Sequence, residues 1–195
     1  MTDAAPGAEL PLVRDPATNS YLNKLGRQIA AQADARGIPY TFYVVNSDVV
    51  NAFSLPGGHV YLNRGLFERA ANVAQLVGML AHQIGHVVER HGEARSAQAE
   101  READHDAIGY AVRAGYNPSG LARFLDKMLA MREQTPTKVE QWIASHPLTA
   151  ERVRSIEAEI AATPGAQSPR LVTDTPEFQS FRERLRSLTP PPQDR

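Results

Sequence analysis

The segment Leu80-Ala81-His82-Gln83-Ile84-Gly85-His86-Val87-Val88 decides how the rest of the sequence is interpreted. His82 and His86 are four residues apart, so in a helix they lie one turn apart on the same face, and both imidazoles can reach one metal ion. The chain contains 6 histidines in 195 residues, and a pair at this spacing can also arise by chance. The pair alone therefore does not establish a metal site.

The residues around the pair predict an amphipathic helix whose apolar stripe faces away from both histidines. Apolar residues recur at helical spacing at Val73, Leu76, Val77, Leu80, Ile84, Val87 and Val88. At about 100° per residue, His82 and His86 project almost opposite this stripe. A histidine packed in the core is therefore disfavoured, while a solvated surface pair stays open as an alternative.

Length, charge and composition restrict the class of protein. A chain of 195 residues with a net charge of -1 suits one domain and carries no electrostatic footprint for nucleic acid. It lacks an apolar run of about 18 residues, so we expect no transmembrane segment. Peripheral association with a membrane would not require such a segment. The chain contains no cysteine, which leaves histidine and carboxylate as zinc ligands. The first residues lack the basic and apolar regions of a signal peptide. If the protein is exported, we therefore expect its signal sequence to have been removed.

Periodicity and turn residues predict an α+β chain, mostly helical, with a small β-sheet before the histidine helix. Strands are predicted at 40–45, 51–55 and 59–63, the last two joined by a turn at Pro56-Gly57-Gly58. The histidine helix is predicted to start at a capping box of Asn72 with Gln75 and to end at Gly92. The other helices are predicted at 16–36, 65–70, 97–114, 119–133, 138–144, 150–162 and 176–188, with Ser96 and Thr149 as caps.

The helix after the histidines carries acidic residues on its apolar face. Glu100 and Asp104 fall in the middle of this face, which is formed by Ala103, Ala107, Ile108 and Ala111. Buried carboxylates are costly unless they are paired or bind a metal. Glu100 is therefore predicted as the third metal ligand, and Asp104 as the acceptor of a ring N–H from a ligand histidine. Structural ion pairs to arginines such as Arg27, Arg64 or Arg95 are the alternative.

Further motifs occur in a fixed order around these residues. They are Asn51-Ala52-Phe53-Ser54-Leu55-Pro56-Gly57-Gly58, Gly65-Leu66, Glu100-x-x-Ala103-Asp104, and Ser145-His146-Pro147 with Arg152. Together with the histidine segment they resemble the M48 metallopeptidases over about residues 16–160. The resemblance implies a zincin-like fold in which His82, His86 and Glu100 hold one Zn²⁺ per chain.

The resemblance also implies how a substrate would bind. The strand near Asn51, Ala52 and Phe53 would be the sheet edge to which an extended peptide is added, a mode that has independent physical support. His146 would approach the metal site, either to steady the oxyanion or to block the open coordination position. Arg152 would be a neighbouring residue of the substrate pocket.

The sequence departs from the zinc-peptidase motif H-E-x-x-H at Gln83, where the family has its general-base glutamate. An amide cannot accept the proton, so hydrolysis should fall by orders of magnitude while zinc and peptide binding survive. The change is nearly isosteric, which favours an introduced substitution over a natural pseudoenzyme. The 13 residues between His86 and Glu100 are a second departure, because the family usually has a longer insertion there. Either this member is compact or a loop is missing.

The residues and the resemblance together predict a zinc-dependent endopeptidase, inactivated by Gln83, and the resemblance implies misfolded or envelope proteins as its substrates. The alternative is a non-catalytic peptide-binding or chaperone-like pseudopeptidase, and a third interpretation is a helical domain without metal. The expected organisation is an irregular lead-in at 1–15, the peptidase domain at 16–163 and an extension with one helix at 164–195. The expected location is periplasmic or secreted, with the cytoplasm as alternative; the sequence does not define an oligomeric state.

Overall fold

The computed structural model describes residues 10–33, 37–89 and 96–191, and these fold into eight α-helices, one short 3-10 helix and three strands. The helices are α1 (Pro16–Ala30), α2 (Arg64–Arg69), α3 (Val73–Val88), α4 (Ala97–Arg113), α5 (Ser119–Gln134), α6 (Glu140–Ser145), α7 (Ala150–Ala162) and α8 (Pro176–Ser187). The 3-10 helix spans Pro136–Lys138, and the strands are β1 (Thr41–Val45), β2 (Ala52–Leu55) and β3 (His59–Asn63). The predicted α+β class, with a small sheet before the histidine helix, is confirmed.

The three strands form one sheet in the order β1-β3-β2. β1 is parallel to β3, whereas β2 and β3 form an antiparallel hairpin. The predicted turn joins this hairpin, and Gly57 and Gly58 have φ of 90° and 86°, in the region that glycine adopts without steric cost. Within the described residues β2 pairs with β3 alone, so its other side is an open sheet edge.

The histidine helix α3 lies at the centre of the molecule, and every residue from Val73 to His86 is buried. Its close contact with α4 depends on Gly85, because a Cβ at this position would lie 3.2 Å from both Cα and the carbonyl oxygen of Ala103. A glycine at this crossing lets the two backbones approach. Because Ala103 is three residues after Glu100, the approach brings Glu100 toward the histidines of α3.

The helix starts follow the predicted caps, with one difference in detail. The side chains of Asn72, Ser96 and Thr149 each accept a hydrogen bond from the backbone N–H three residues on. Gln75, however, accepts from the N–H of Ala71 at 2.9 Å instead of closing the predicted box onto Asn72. The side chain thus satisfies a backbone donor one residue before the predicted one.

Some predicted boundaries differ from the structure. Helix α1 ends at Ala30, because the N–H groups of Gln32 and Ala33 bond to carbonyls three residues back in a tight turn. The predicted end at 36 lies outside the described residues. The helix predicted at 138–144 is divided into the 3-10 helix and α6. Helix α3 ends at Val88, and the predicted stop at Gly92 lies outside the described residues. No helix in the described ranges combines the length and hydropathy needed to cross a bilayer.

The C-terminal helix α8 shares the hydrophobic core of the preceding residues. Phe178, Phe181 and Leu185 are buried, and the Phe181 ring packs 4.7 Å from Tyr21 of α1 and 5.3 Å from Phe67 of α2. The domain boundaries expected at residues 15 and 163 remain a prediction.

Asp15 links the start of α1 to α8, and its replacement is expected to destabilise the fold. Its carboxylate accepts from the backbone and hydroxyl of Thr18 at 2.9 and 2.7 Å, and from Arg184 at 2.7 and 2.6 Å. Asp15→Ala removes the cap and the ion pair, and should lower Tm by roughly 2–4 °C. Asp15→Asn keeps the capping oxygen, so it should have a smaller effect in the same melting experiment.

The pH dependence of this contribution has a defined sign. Hydrogen bonds from Arg184 and then from Thr18 hold the pKa of the Asp15 carboxyl well below its usual range. A depressed pKa in the folded state stabilises the fold above the ordinary carboxyl pKa, and this is lost as the pH falls toward the depressed value. The Tm difference between wild type and Asp15→Ala should therefore shrink in acid. Asp126→Asn, at an exposed position of α5, is the control.

Candidate metal centre

Four side chains from three parts of the chain converge in the interior. His82 and His86 come from α3, Glu100 from α4, and His146 follows α6. One possible ligand atom from each lies within 4.8 Å of the others, and all four residues are buried. The structure thus brings together the three predicted ligands and His146.

The distances among the three predicted ligands match a tetrahedral metal site. The Nε2 atoms of His82 and His86 are 3.0 Å apart, and they lie 3.5 and 3.3 Å from the oxygens of Glu100. Ligands about 2.1 Å from a tetrahedral ion are about 3.4 Å from one another. The two imidazoles and the Glu100 carboxylate are therefore close enough to hold one ion between them.

The surroundings of Glu100 also favour a bound cation. Both oxygens of Glu100 are buried, and no donor in the described structure meets hydrogen-bond geometry with them. Arg152 Nη1 does lie 2.7 Å from Oε2 as an ion pair, but it is poorly aligned for a hydrogen bond. A buried carboxylate without aligned donors is costly. The residues present therefore fit a metal ion, which would satisfy Glu100 and both imidazoles at once.

Asp104 fixes the orientation of His82. Its Oδ1 lies 2.9 Å from Nδ1 of His82, at an angle poorer than that of a good hydrogen bond. A ring N–H held on the Nδ1 side leaves the Nε2 lone pair directed at Glu100 and His86. Asp104, which was predicted to accept a ring N–H from a ligand histidine, lies one turn after Glu100 and beside Nδ1 of His82, and its role stays a prediction.

Opposing effects set the pKa values in the cluster. Burial raises the pKa of Glu100, but contacts with His82 and His86 outweigh it and hold that pKa below its usual range. Burial likewise raises the pKa of Asp104, and His82 and Arg152 bring it below the usual value. For His82, burial lowers the pKa, whereas Asp104 and then Glu100 raise it above the ordinary value. Both carboxylates are therefore ionised at neutral pH, as metal binding requires.

Gln83 lies between the sheet edge and His146. Its fully buried side chain places Nε2 3.1 Å from Nε2 of His146, and it donates to the carbonyl oxygen of Ala52 in β2 at 3.4 Å. The other ring nitrogen of His146 is 2.8 Å from Oγ of Ser145. Trp142 stacks parallel to the His146 ring, with centroids 4.8 Å apart. His146 is therefore held on both nitrogens and on one face.

A cavity of about 250 Å³ lies between β2 and α6, beside this cluster. The described residues that line it are Asn51, Phe53, Ser54, Leu55, Gln141, Ser145 and His146. Asn51 and Phe53 thus face the cavity, and the carbonyl of the intervening Ala52 accepts from Gln83. Arg152 lines a separate cavity of about 320 Å³ between α4 and α7.

Arg152, which the resemblance implied as a residue of the substrate pocket, is the arginine that pairs with the carboxylates, and the sequence pattern did not predict this pairing. Arg152 bonds to Asp104 with two nitrogens, at 2.7 and 2.8 Å. Of the arginines proposed as structural partners, Arg64 instead bonds to Glu68 and Thr189, Arg27 to Tyr40, and Arg95 lies outside the described residues. The available signal was the cap at Thr149, which places Arg152 in the first turn of α7.

Comparison with known proteins identifies the protein family to which the chain belongs. A model of peptidase family M48 matches residues 16–99 and 93–160, so this chain belongs to peptidase family M48, and the fold is of the zincin-like type. The predicted resemblance is confirmed. Members of this family are metallopeptidases, and the cluster of His82, His86, Glu100 and His146 accords with a bound metal ion.

The relatives are proteases. The chain is 30% identical over 193 residues to the beta-barrel assembly-enhancing protease of Yersinia pestis, covering 75% of this chain and 40% of that protein. It is 27% identical over 190 residues to the protein of the same name from Escherichia coli K12, covering 73% and 39%. The mitochondrial metalloendopeptidase OMA1 of Schizosaccharomyces pombe is 24% identical over 208 residues, covering 85% and 60%. The chain thus spans about 40% of the length of its bacterial relatives.

Proposed function

We propose that this chain is the peptidase domain of a zinc-dependent endopeptidase, impaired in hydrolysis by Gln83. One Zn²⁺ would be held by His82, His86 and Glu100. The observation that carries the proposal is the convergence of two imidazoles and a buried carboxylate beside an open sheet edge. The nitrogen and oxygen ligands at tetrahedral separations, in a chain without cysteine, favour zinc.

The side chains around the centre have distinct proposed roles. When bound, zinc would polarise the peptide carbonyl and lower the pKa of the attacking water. The residue at position 83 lies where a base would collect the released proton, but an amide has no basic atom at neutral pH. His146 would stabilise the charge that develops on the carbonyl oxygen once its Nε2 carries a proton and is released from the Gln83 amide. Its contacts with Ser145 and Trp142 hold the ring for that task.

The substrate would be an extended segment of an unfolded protein. Strand β2 offers an edge at Asn51, Ala52 and Phe53 to which such a segment can be added by main-chain hydrogen bonds. The adjacent cavity can accept one of its side chains. The name shared by the bacterial relatives points to β-barrel assembly, which favours misfolded envelope proteins as substrates and a periplasmic location.

A pseudopeptidase that binds peptide without cleaving it is the second candidate. It is favoured by the contacts of Gln83, whose amide donates to Ala52 and lies within hydrogen-bond distance of His146. A glutamate side chain cannot make the donor contact with Ala52 while ionised. The amide therefore suits the surroundings in which it is found.

The first test is elemental analysis of the purified chain combined with peptide capture. We expect one zinc per chain, and zinc-dependent retention of an unfolded protein without its cleavage. Absence of zinc after incubation with the ion would contradict the proposed centre. Zinc binding without retention of unfolded protein would instead restrict the failure to the peptide-binding role.

Zinc binding is expected to change the fluorescence of Trp142. It is the only tryptophan of the chain, and its ring stacks on His146 beside the centre. Adding zinc to chelator-treated protein should therefore alter the emission and saturate at one ion per chain. His105→Ala, at an exposed position of α4, should leave the titration unchanged. A flat titration in protein shown to contain zinc would mean that the ion does not influence His146.

A further inference from the structure

We propose that Arg152 is a positioning residue of the metal centre, which aligns Glu100 and His82 for the ion. This inference rests on the proposed function, because it assumes the zinc site. It goes beyond the family resemblance, which implied a pocket residue near the substrate. Three contacts of one guanidinium carry the inference.

The guanidinium is almost fully committed inside the protein. Nε and Nη2 donate to the two oxygens of Asp104 at 2.7 and 2.8 Å, as a bidentate fork. Nη1 donates to the carbonyl of Pro147 at 2.9 Å and lies 2.7 Å from Oε2 of Glu100. The side chain is only 8% exposed. Because three of its five N–H groups donate hydrogen bonds within the protein and Nη1 also lies beside Glu100, Arg152 is poorly placed to bind a substrate carbonyl.

These contacts connect the elements that carry the ligands. Glu100 and Asp104 lie one turn apart on α4, and Asp104 in turn lies beside Nδ1 of His82. Pro147 follows His146 directly, so the same guanidinium also holds the loop that brings His146 to the cluster. Since Arg152 is in the first turn of α7, it couples α7, α4 and this loop at one point.

Positioning and electrostatics predict opposite results when the charge is removed. A cation close to the centre repels a metal ion, so its loss alone should tighten metal binding. If Arg152 instead aligns the ligands, its loss should weaken binding, because partners of this kind typically contribute 10–100-fold to metal affinity. Lysine keeps the charge but cannot form the fork, so it separates the two effects further.

The test compares Arg152→Met and Arg152→Lys with wild type in the full chain. Zn²⁺ affinity is measured by competition with a chromophoric chelator, and ligand geometry by the visible absorption of the Co²⁺-substituted protein. We expect both variants to bind Zn²⁺ about 10–100-fold more weakly, with an altered Co²⁺ spectrum. Arg154→Met, at an exposed position on the same helix, should match wild type in both measurements.

The outcomes are separable. Tighter Zn²⁺ binding by Arg152→Met, or wild-type affinity and Co²⁺ spectrum in Arg152→Lys, would overturn the positioning role. If Arg152→Met does not fold, as judged by circular dichroism, Arg152→Lys decides alone. Failure of the wild-type chain to bind Zn²⁺ would refute the proposed zinc site itself, and with it this inference. Wild-type binding with unaffected variants would leave the proposed function intact and reject only the role of Arg152.

Discussion

Gln83→Glu is expected to raise zinc-dependent hydrolysis of an unfolded protein by roughly 100- to 10,000-fold, the usual contribution of general acid–base catalysis. The side chain is buried within 3.1 Å of His146 and 3.4 Å of the strand edge, where a carboxylate can take the proton released in attack on the peptide. The backbone should need little rearrangement, because glutamate and glutamine have nearly the same shape, but the ionised carboxylate must turn away from the Ala52 carbonyl oxygen to which Gln83 donates. A continuous assay with a fluorescence-quenched unfolded protein measures the gain.

The control variant keeps the glutamate introduced at position 83 and removes one of the proposed zinc ligands. Gln83→Glu combined with His86→Ala should show no hydrolysis, which excludes a contaminating protease. A chelator should abolish the activity of the single variant, and added zinc should restore it. If Gln83→Glu stays inactive while it retains zinc and unfolded protein, the pseudopeptidase becomes the better description of this chain.

Glu100→Gln is expected to weaken Zn²⁺ binding at least 100-fold. The substitution exchanges a charged ligand for a neutral amide, and the Coulomb attraction between a carboxylate and a divalent ion is large in a buried site. At a zinc concentration 100 times the wild-type Kd, bound zinc stabilises the fold by about 2.7 kcal/mol. Most of this stabilisation should disappear in Glu100→Gln, seen as a loss of the zinc-induced rise in Tm.

A matched change on the same helix serves as the control. Glu102 is exposed on the opposite face of α4 and contacts Gln98. Glu102→Gln removes the same charge from the chain but leaves the centre untouched, so its zinc affinity should equal that of wild type. A zinc-induced Tm rise of normal size in Glu100→Gln would show that Glu100 is not a ligand.

The features that could be predicted from the sequence depend on residues close to one another in the chain. Helical periodicity places His82 and His86 on one face, and it places Glu100 and Asp104 on the apolar face of the next helix. Capping residues such as Ser96 and Thr149 mark helix starts because their side chains bond to N–H groups three residues away. These relations act within one or two turns, so they are visible without a structure.

Relations between distant residues could not be read in the same way. The pairing of Arg152 with Asp104 spans 48 positions, and the cap at Thr149 places Arg152 in the first turn of α7 without identifying its partner. The contact of Gln83 with His146 spans 63 positions and depends on how α6 meets the sheet. Tertiary packing, not propensity, selects these partners.

The stacking of Phe181 on Tyr21, with Phe67 at its edge, has a consequence for protein engineering. A shortened version that stops at residue 163 would lack α8 and would expose the apolar surfaces of α1 and α2 that Phe181 covers. Exposed hydrophobic patches of this kind promote aggregation. A shortened version of this chain should therefore retain α8.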